Sequence, residues 1–198
     1  LITSIREPFS QFKSTFHYYN IHGVSQMLRN QTYEHYLRDI LLYEQRYTSH
    51  DNRKLRHCVP DGFSVTRNIM AFNLGFPTGF NRPDMSQDQE FIEQWLKKVD
   101  NEFSLVLIVE YFHESLVLLR RKLCWNFEDI LFFNMNAGEY KHKVRDTELV
   151  EIHKKWSNVD YSLYKHFNDT LRQTLTNQGA EFWREVAHLK LVAMEIER

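Results

Sequence analysis

A parallel sheet flanked by helices, closed by a helical C-terminal part, is the α/β arrangement this sequence predicts. Two apolar runs, Leu1–Ile5 and Phe103–Val109, have the length and branched residues of strands. The second is almost continuously apolar, as in a strand covered by helices on both faces. From about Asp146 onward only helical periodicity is left.

At 198 residues, 42% hydrophobic and 15% aromatic, the chain can bury a sizeable core and reads as one globular α/β domain or most of one. Lys and Arg number 25 against 26 Asp and Glu, a formal charge of −1. That balance lacks the basic field of a nucleic-acid binder, so no nucleic-acid partner is expected, while local anion sites stay open. No stretch approaches the roughly 18 to 20 consecutive apolar residues of a membrane span, and the opening residues carry no targeting signal.

Taken in order, Leu1 to Ile5 forms the first strand. Pro8 suits the first position of a helix, and Phe9, Phe12 and Phe16 recur at helical spacing to about Tyr19. Arg6 stands at the joint. A strand end feeding a helix presents unpaired N–H groups and a positive dipole end, so a guanidinium there suits a phosphate. Ser14, about two turns further on, adds a hydroxyl. The plainer alternative is that Arg6 ends a strand and Ser14 sits in an ordinary helix.

Gly23 marks a break, and Ser25–Leu28 suits a short helical turn. Thr32 to Tyr47 is expected as one amphipathic helix whose stripe is Tyr33, Tyr36, Leu37, Ile40, Leu41, Glu44 and Tyr47. The stripe reads as core, and its tyrosines also suit a sugar platform. Arg53-Lys54-Leu55-Arg56-His57 is the basic cluster of a polar stretch expected as a solvated loop. In the apolar segment Ser64–Phe76, Arg67 and Asn68 offer directional donors beside an aromatic, as a sugar or sulfate needs; otherwise they are a solvent-facing pair at a helix start.

Gln89 to Asn101 is an amphipathic helix feeding the second strand. Glu110 and His113 lie at that strand's carboxyl end, where open α/β sheets bind ligands, and either side chain can take a proton from an attacking hydroxyl. Against this, Glu110 suits a strand-end ion pair and His113 a surface site. Ser115–Trp125 is expected as a helix, Asp129–Phe133 as a short strand and Gly138–Lys143 as a basic loop. The tail divides into helices over Asp146–Trp156, Val159–Leu175 and Ala180–Glu197. Neither Cys58 with Cys124 nor His153, His166 and His188 has metal-ligand spacing, so no metal is expected. Asn30-Gln31-Thr32 and Asn168-Asp169-Thr170 are glycosylation sequons, meaningful only in a secretory setting.

Ile5-Arg6-Glu7-Pro8, followed by Ser14 and Phe16, resembles the motif with which sulfotransferases hold the 3′-phosphate of PAPS (3′-phosphoadenosine 5′-phosphosulfate). Within that superfamily the chain is most similar to the galactose-3-O-sulfotransferases. The similar stretches are Arg67-Asn68 with Met70-Ala71-Phe72 and Gly75-Phe76, the block from Asp100 to Trp125, Leu163–Asn168, and Phe182–Ala187.

The resemblance implies a sulfotransferase-like, P-loop NTPase-like fold with PAPS as co-substrate and no metal. Arg6 and Ser14 would be its 3′-phosphate ligands. A late loop with Lys141, Lys143 and Arg145 would close over the donor, although Gly138 and Glu139 stand where the family often has a basic residue. The implied reaction moves a sulfuryl group to the 3-hydroxyl of galactose in a glycolipid or glycoprotein. The implied setting is the Golgi lumen, in a type II membrane protein anchored upstream, which favours use of the sequons. The six-glycine chain has no Gly-x-x-x-x-Gly-Lys loop, and it opens inside an apolar strand. The family's first strand and phosphate loop are therefore expected before Leu1. A non-catalytic glycan-binding module retaining the fold is the alternative.

Overall fold

The computed structural model describes residues 1–56, 58–132 and 147–196. The chain divides into two compact units. One comprises Leu1–Arg6, Asn101–Lys143 and Lys165–Arg198, and the other Glu7–Asp100 and Val144–Tyr164.

The first unit is built on a parallel pair, β1 (Ile2–Ile5) and β2 (Leu105–Ile108), with Ile2 opposite Leu105 and Ile5 opposite Ile108. Ile5, Val106, Leu107 and Ile108 are buried, which is what selects these branched residues for the pair. A single 3₁₀ turn, Val109–Tyr111, leads into the helix Phe112–Leu123, here α7 in chain order. The Ser115 hydroxyl accepts the Ile108 N–H at 3.2 Å and ties that helix to the strand end. The last helix, α10 (Ala180–Ile196), packs on α7. Phe182, Val186 and Leu189 are buried, while Glu185 pairs with Arg120 at 2.7 Å and Arg121 at 3.0 Å.

Two expectations change in this unit. The helix starts at Phe112 rather than Ser115. The strand expected from Asp129 is absent: Glu128–Ile130 is a 3₁₀ turn, because the Asp129 carboxylate accepts the Asn126 N–H at 2.8 Å and closes the backbone locally. Phe133 lies outside the described residues.

The second unit is helical: α1 (Pro8–Tyr18), α2 (Ile21–Val24), α3 (Tyr33–Arg38), α4 (Ile40–Thr48), α5 (Ile69–Asn73), most of α6 (Gln89–Glu102), α8 (Thr147–Trp156) and the start of α9 (Asn158–Thr176). Phe9, Phe12 and Phe16 of α1 join Tyr36, Leu37, Tyr43, Tyr47 and Leu149 in one aromatic core. Phe12 packs 5.8 Å from the Tyr36 ring and 4.7 Å from His153. Burial pushes the His153 pKa down to about 3, so that imidazole is a neutral core group.

The helix expected over Thr32–Tyr47 is two helices. Asp39 breaks it with φ −133° and ψ 46°, and the break resets the phase. Leu41, placed in the stripe by a single continuous period, is 72% exposed, while Tyr36, Tyr43 and Tyr47 are buried as core. Arg56 is likewise no member of a solvated loop. Its buried guanidinium donates to the carbonyls of Ser49 at 2.9 Å and Pro60 at 2.8 Å and pairs with Asp61 at 2.5 Å, tying the 3₁₀ stretch His50–Leu55 to the turn that follows.

Candidate functional site

The two parallel strands place their following residues at the same sheet end. Arg6 follows Ile5, Glu110 and His113 follow Ile108, and Ile5 and Ile108 are register partners. This is the end of an α/β sheet at which ligands collect. Glu110 is exposed in the 3₁₀ turn; His113 is half-buried in the first turn of α7, its ring 5.6 Å from Phe132. Glu114 faces inward instead, buried and joined to Lys190 of α10 at 2.7 Å.

The start of α1 differs from the expectation of open amides. Glu7 caps it: its carboxylate accepts the N–H of Phe9 at 3.2 Å and of Ser10 at 2.8 Å, and the Ser10 hydroxyl at 2.8 Å. A side-chain anion thus already occupies the helix end. Arg6 ends the strand unit, and Ser14 is half-buried in α1 of the helical unit. A planar guanidinium fork matches two phosphate oxygens, and a hydroxyl can donate one further hydrogen bond. Lys141 and Lys143, with Arg145, lie outside the described residues.

Arg67 and Asn68, adjacent in sequence, have separate jobs. Asn68 is fully buried with φ 51°, and its side-chain oxygen accepts the N–H groups of Val159 at 3.0 Å and Asp160 at 3.3 Å, capping α9. Asp160 returns the cap: its carboxylate accepts from Ala71 at 2.8 Å and Met70 at 3.3 Å at the start of α5. Burial raises the Asp160 carboxyl to about 7 in spite of these bonds. Asn68 is therefore buried rather than solvent-facing, and it locks two helices.

Arg67 lies in a cleft of about 280 Å³ within the helical unit. Its guanidinium lies 5.2 Å over the Trp156 ring, pairs with Asp84 at 2.8 Å and donates to the Ser86 hydroxyl at 3.2 Å. Burial alone would raise the Asp84 carboxyl, but Ser86 and the Arg67 guanidinium hold it below the ordinary carboxylate range. Glu44 contributes the buried carboxyl of this cleft. Its Oε1 accepts from the Tyr36 hydroxyl and, at 2.5 Å, from the Thr66 hydroxyl, and the Trp156 indole N–H donates to Thr66 at 3.1 Å. Burial raises the Glu44 pKa against the opposing pull of the Thr66 and Tyr36 hydrogen bonds. Gln45 and Thr48 add an amide and a hydroxyl, and Phe63, Phe80 and Trp156 add aromatic faces. Directional polar groups beside flat apolar rings suit a hydroxylated ring such as a sugar.

Sequence reasoning missed Glu44 and Trp156 as parts of one site. The signal was a carboxylate inside an otherwise apolar helical stripe, a place charged residues take only when paired or hydrogen-bonded. Among the described residues no group of three or more His, Cys, Asp or Glu is arranged to hold a metal ion. Cys58 and Cys124 are exposed and unpaired.

The pattern of the galactose-3-O-sulfotransferases matches residues 1–198. The chain belongs to this family. Human galactosylceramide sulfotransferase is 35% identical over 188 residues, 93% of this chain and 38% of the relative. Mouse galactosylceramide sulfotransferase is 34% identical over 191 residues, 96% and 42% respectively. Bovine galactose-3-O-sulfotransferase 3 is 31% identical over 199 residues, covering 99% of this chain and 40% of its own. The chain spans about two-fifths of the length of these curated relatives. No solved structure matches it. The segments that resembled the galactose-3-O-sulfotransferases include both sheet-end candidates and Arg67 in the aromatic cleft.

Proposed function

We propose that the chain carries the acceptor cleft and part of the donor site of a PAPS-dependent galactose 3-O-sulfotransferase with a P-loop-type sulfotransferase fold. The observation that carries the reading is the cleft in which Arg67, from a family-like segment, stands with Glu44, Gln45, Thr48 and Trp156. PAPS, when bound, supplies the sulfuryl group. Arg6 and Ser14 neutralise and orient the donor's 3′-phosphate, contributing through position rather than bond-making. In the cleft the Glu44 carboxyl and its neighbours orient the galactose hydroxyls, and the indole of Trp156 receives the apolar ring face. Glu110 or His113 takes the proton from the attacking hydroxyl.

The acceptor is a galactose-bearing glycolipid or glycoprotein, and the setting is the Golgi lumen with a membrane anchor upstream. Among the described residues no helix is long and apolar enough to cross a membrane. In that setting Asn30, exposed in a turn, is the accessible sequon, whereas Asn168 is half-buried inside α9.

The test is a labelled-PAPS transfer assay on the full-length protein with a panel of galactosides, paired with calorimetry of donor binding. Arg6→Ala is expected to weaken donor binding by roughly 10- to 100-fold, the worth of a charge-assisted hydrogen bond. Replacing whichever of Glu110 and His113 is the base is expected to lower turnover by about 10²- to 10⁴-fold while donor affinity holds. Unchanged donor affinity in Arg6→Ala refutes the phosphate assignment, and normal turnover in both Glu110→Gln and His113→Asn refutes the base. Galactoside binding without any transfer would favour a glycan-binding module instead.

A further inference from the structure

Among the described residues that line the polar cleft, Arg67 and Glu44 carry the charged or acidic side chains. The positive charge is already compensated. Arg67 pairs with Asp84 at 2.8 Å, and the two side chains are 28% and 31% exposed, so water screens the pair only in part. Glu44 adds no positive charge in either protonation state.

Asp84 is anchored from several sides. Its backbone forms an isolated antiparallel bridge with Thr78, and its side chain accepts the Ser86 N–H at 2.9 Å. Ser86 is buried in turn, and its carbonyl accepts the side-chain amide of Asn158 at 2.6 Å. Gly79 turns the loop at φ 96°, and a Cβ there would come within 3.3 Å of the Asp84 side chain. Burial by itself would raise the Asp84 carboxyl, but its bonds to Ser86 and Arg67 hold it below the ordinary carboxylate range, so it is ionised at neutral pH. The loop 78–86 thus fixes a carboxylate on the arginine of the cleft.

An uncompensated arginine in a sugar cleft attracts carboxylates and sulfates, because its fork matches their paired oxygens. An uncharged hydroxylated ring asks only for directional donors and acceptors, which Arg67 and Glu44 still offer. An anionic ring instead meets a cation that already has its partner and a second carboxyl beside it, an arrangement that disfavours it. We propose that Asp84 is a specificity-determining residue: by compensating Arg67 it restricts the cleft to uncharged galactosyl ends and excludes those bearing a carboxylate or sulfate on the ring. This role rests on the assignment of the cleft to galactose and adds a charge that the acceptor's ring must lack.

Ligands of nearly equal size separate charge from shape. Methyl β-galactoside, the methyl galacturonide whose ring carries a carboxylate in place of the hydroxymethyl group, and the uncharged amide of that galacturonide are titrated into the full chain by calorimetry. The galacturonide is expected to bind about tenfold more weakly than the galactoside, and the amide within about threefold of the galactoside. In Asp84→Asn, checked for an unchanged thermal transition, the released guanidinium is expected to raise galacturonide affinity about tenfold relative to the galactoside, with the gain shrinking at about 0.5 M salt. Arg67→Gln leaves Asp84 uncompensated and is expected to deepen the discrimination. A galacturonide that binds the unmodified chain as tightly as the galactoside, or no more weakly than the amide, overturns the exclusion and leaves the galactose assignment standing. An unchanged galacturonide-to-galactoside ratio in either folded variant overturns the role of Asp84. If the galactoside itself does not bind the unmodified chain, the galactose assignment fails and this inference falls with it.

Discussion

Replacing Asn68 by alanine probes the contact that holds the segment bearing Arg67 against α9. The side-chain oxygen accepts the N–H groups of Val159 at 3.0 Å and Asp160 at 3.3 Å, both in buried surroundings. Alanine leaves those two amides without this acceptor, at about 1–3 kcal/mol for each buried unsatisfied group. It also puts a residue with a Cβ and no compensating side-chain bond at φ 51°, which costs about another 1 kcal/mol. The Asn68 amide nitrogen has no protein partner, so its removal forfeits no bond. The sum is about 3–7 kcal/mol, a large share of the roughly 5–15 kcal/mol that holds a typical domain together. For a chain of this size that is a fall in melting temperature of roughly 6–28 °C. Urea unfolding followed by far-ultraviolet circular dichroism measures it, and Asn68→Gly separates the two contributions. Glycine accepts the positive φ freely but still loses the cap, so it is expected to recover only about 1 kcal/mol. A loss below about 1 kcal/mol for Asn68→Ala, or a glycine variant as stable as the parent, would refute the reasoning.

Two further outcomes test the electrostatics. Burial raises Asp160 to about 7, above its ordinary value, so the folded state binds its proton more tightly than the unfolded chain does. That stabilising contribution is complete below about pH 4 and is lost as pH rises through about 7; Glu44, also raised by burial, acts in the same direction. Urea midpoints measured from pH 4 to 8 are therefore expected to fall more steeply in the parent than in Asp160→Asn, and an identical slope in both sinks the assignment. Glu185→Ala removes the carboxylate shared by Arg120 and Arg121 between α7 and α10. Because these side chains are partly exposed, the expected loss is about 1 kcal/mol at low salt, shrinking at 0.5 M salt; a salt-independent loss means packing rather than charge dominates.

The strand ends and the cleft divide the proposed chemistry differently from the opening motif alone. Arg6 and the Glu110–His113 turn share a sheet end because the strands are parallel and in register. The first turn of α1 contributes less than its position suggested, because Glu7 has taken its amides. That helix end already carries the Glu7 carboxylate, so its dipole offers little to a further anion.

Much of the architecture was legible without coordinates, because it depends on interactions a few residues apart. The branched residues of Ile2–Ile5 and Leu105–Ile108, the proline opening α1, and the periodic faces of α6, α8, α9 and α10 are local signals. Family membership was equally legible from motifs spread along the chain. The tertiary structure decided where a residue's partner lies far away in the chain or where a helix changes phase. Asp39 turned one expected helix into two and put Leu41 in solvent. Asn68 meets its partners 91 and 92 residues later, and Thr66 meets the Trp156 indole 90 residues later, beneath Glu44. Periodicity records which way a side chain points relative to its neighbours; it does not record which distant donor will satisfy it. Buried polar groups must be satisfied by whatever the fold brings near, so the cleft around Glu44 and the lock at Asn68 exist only once the helices have packed.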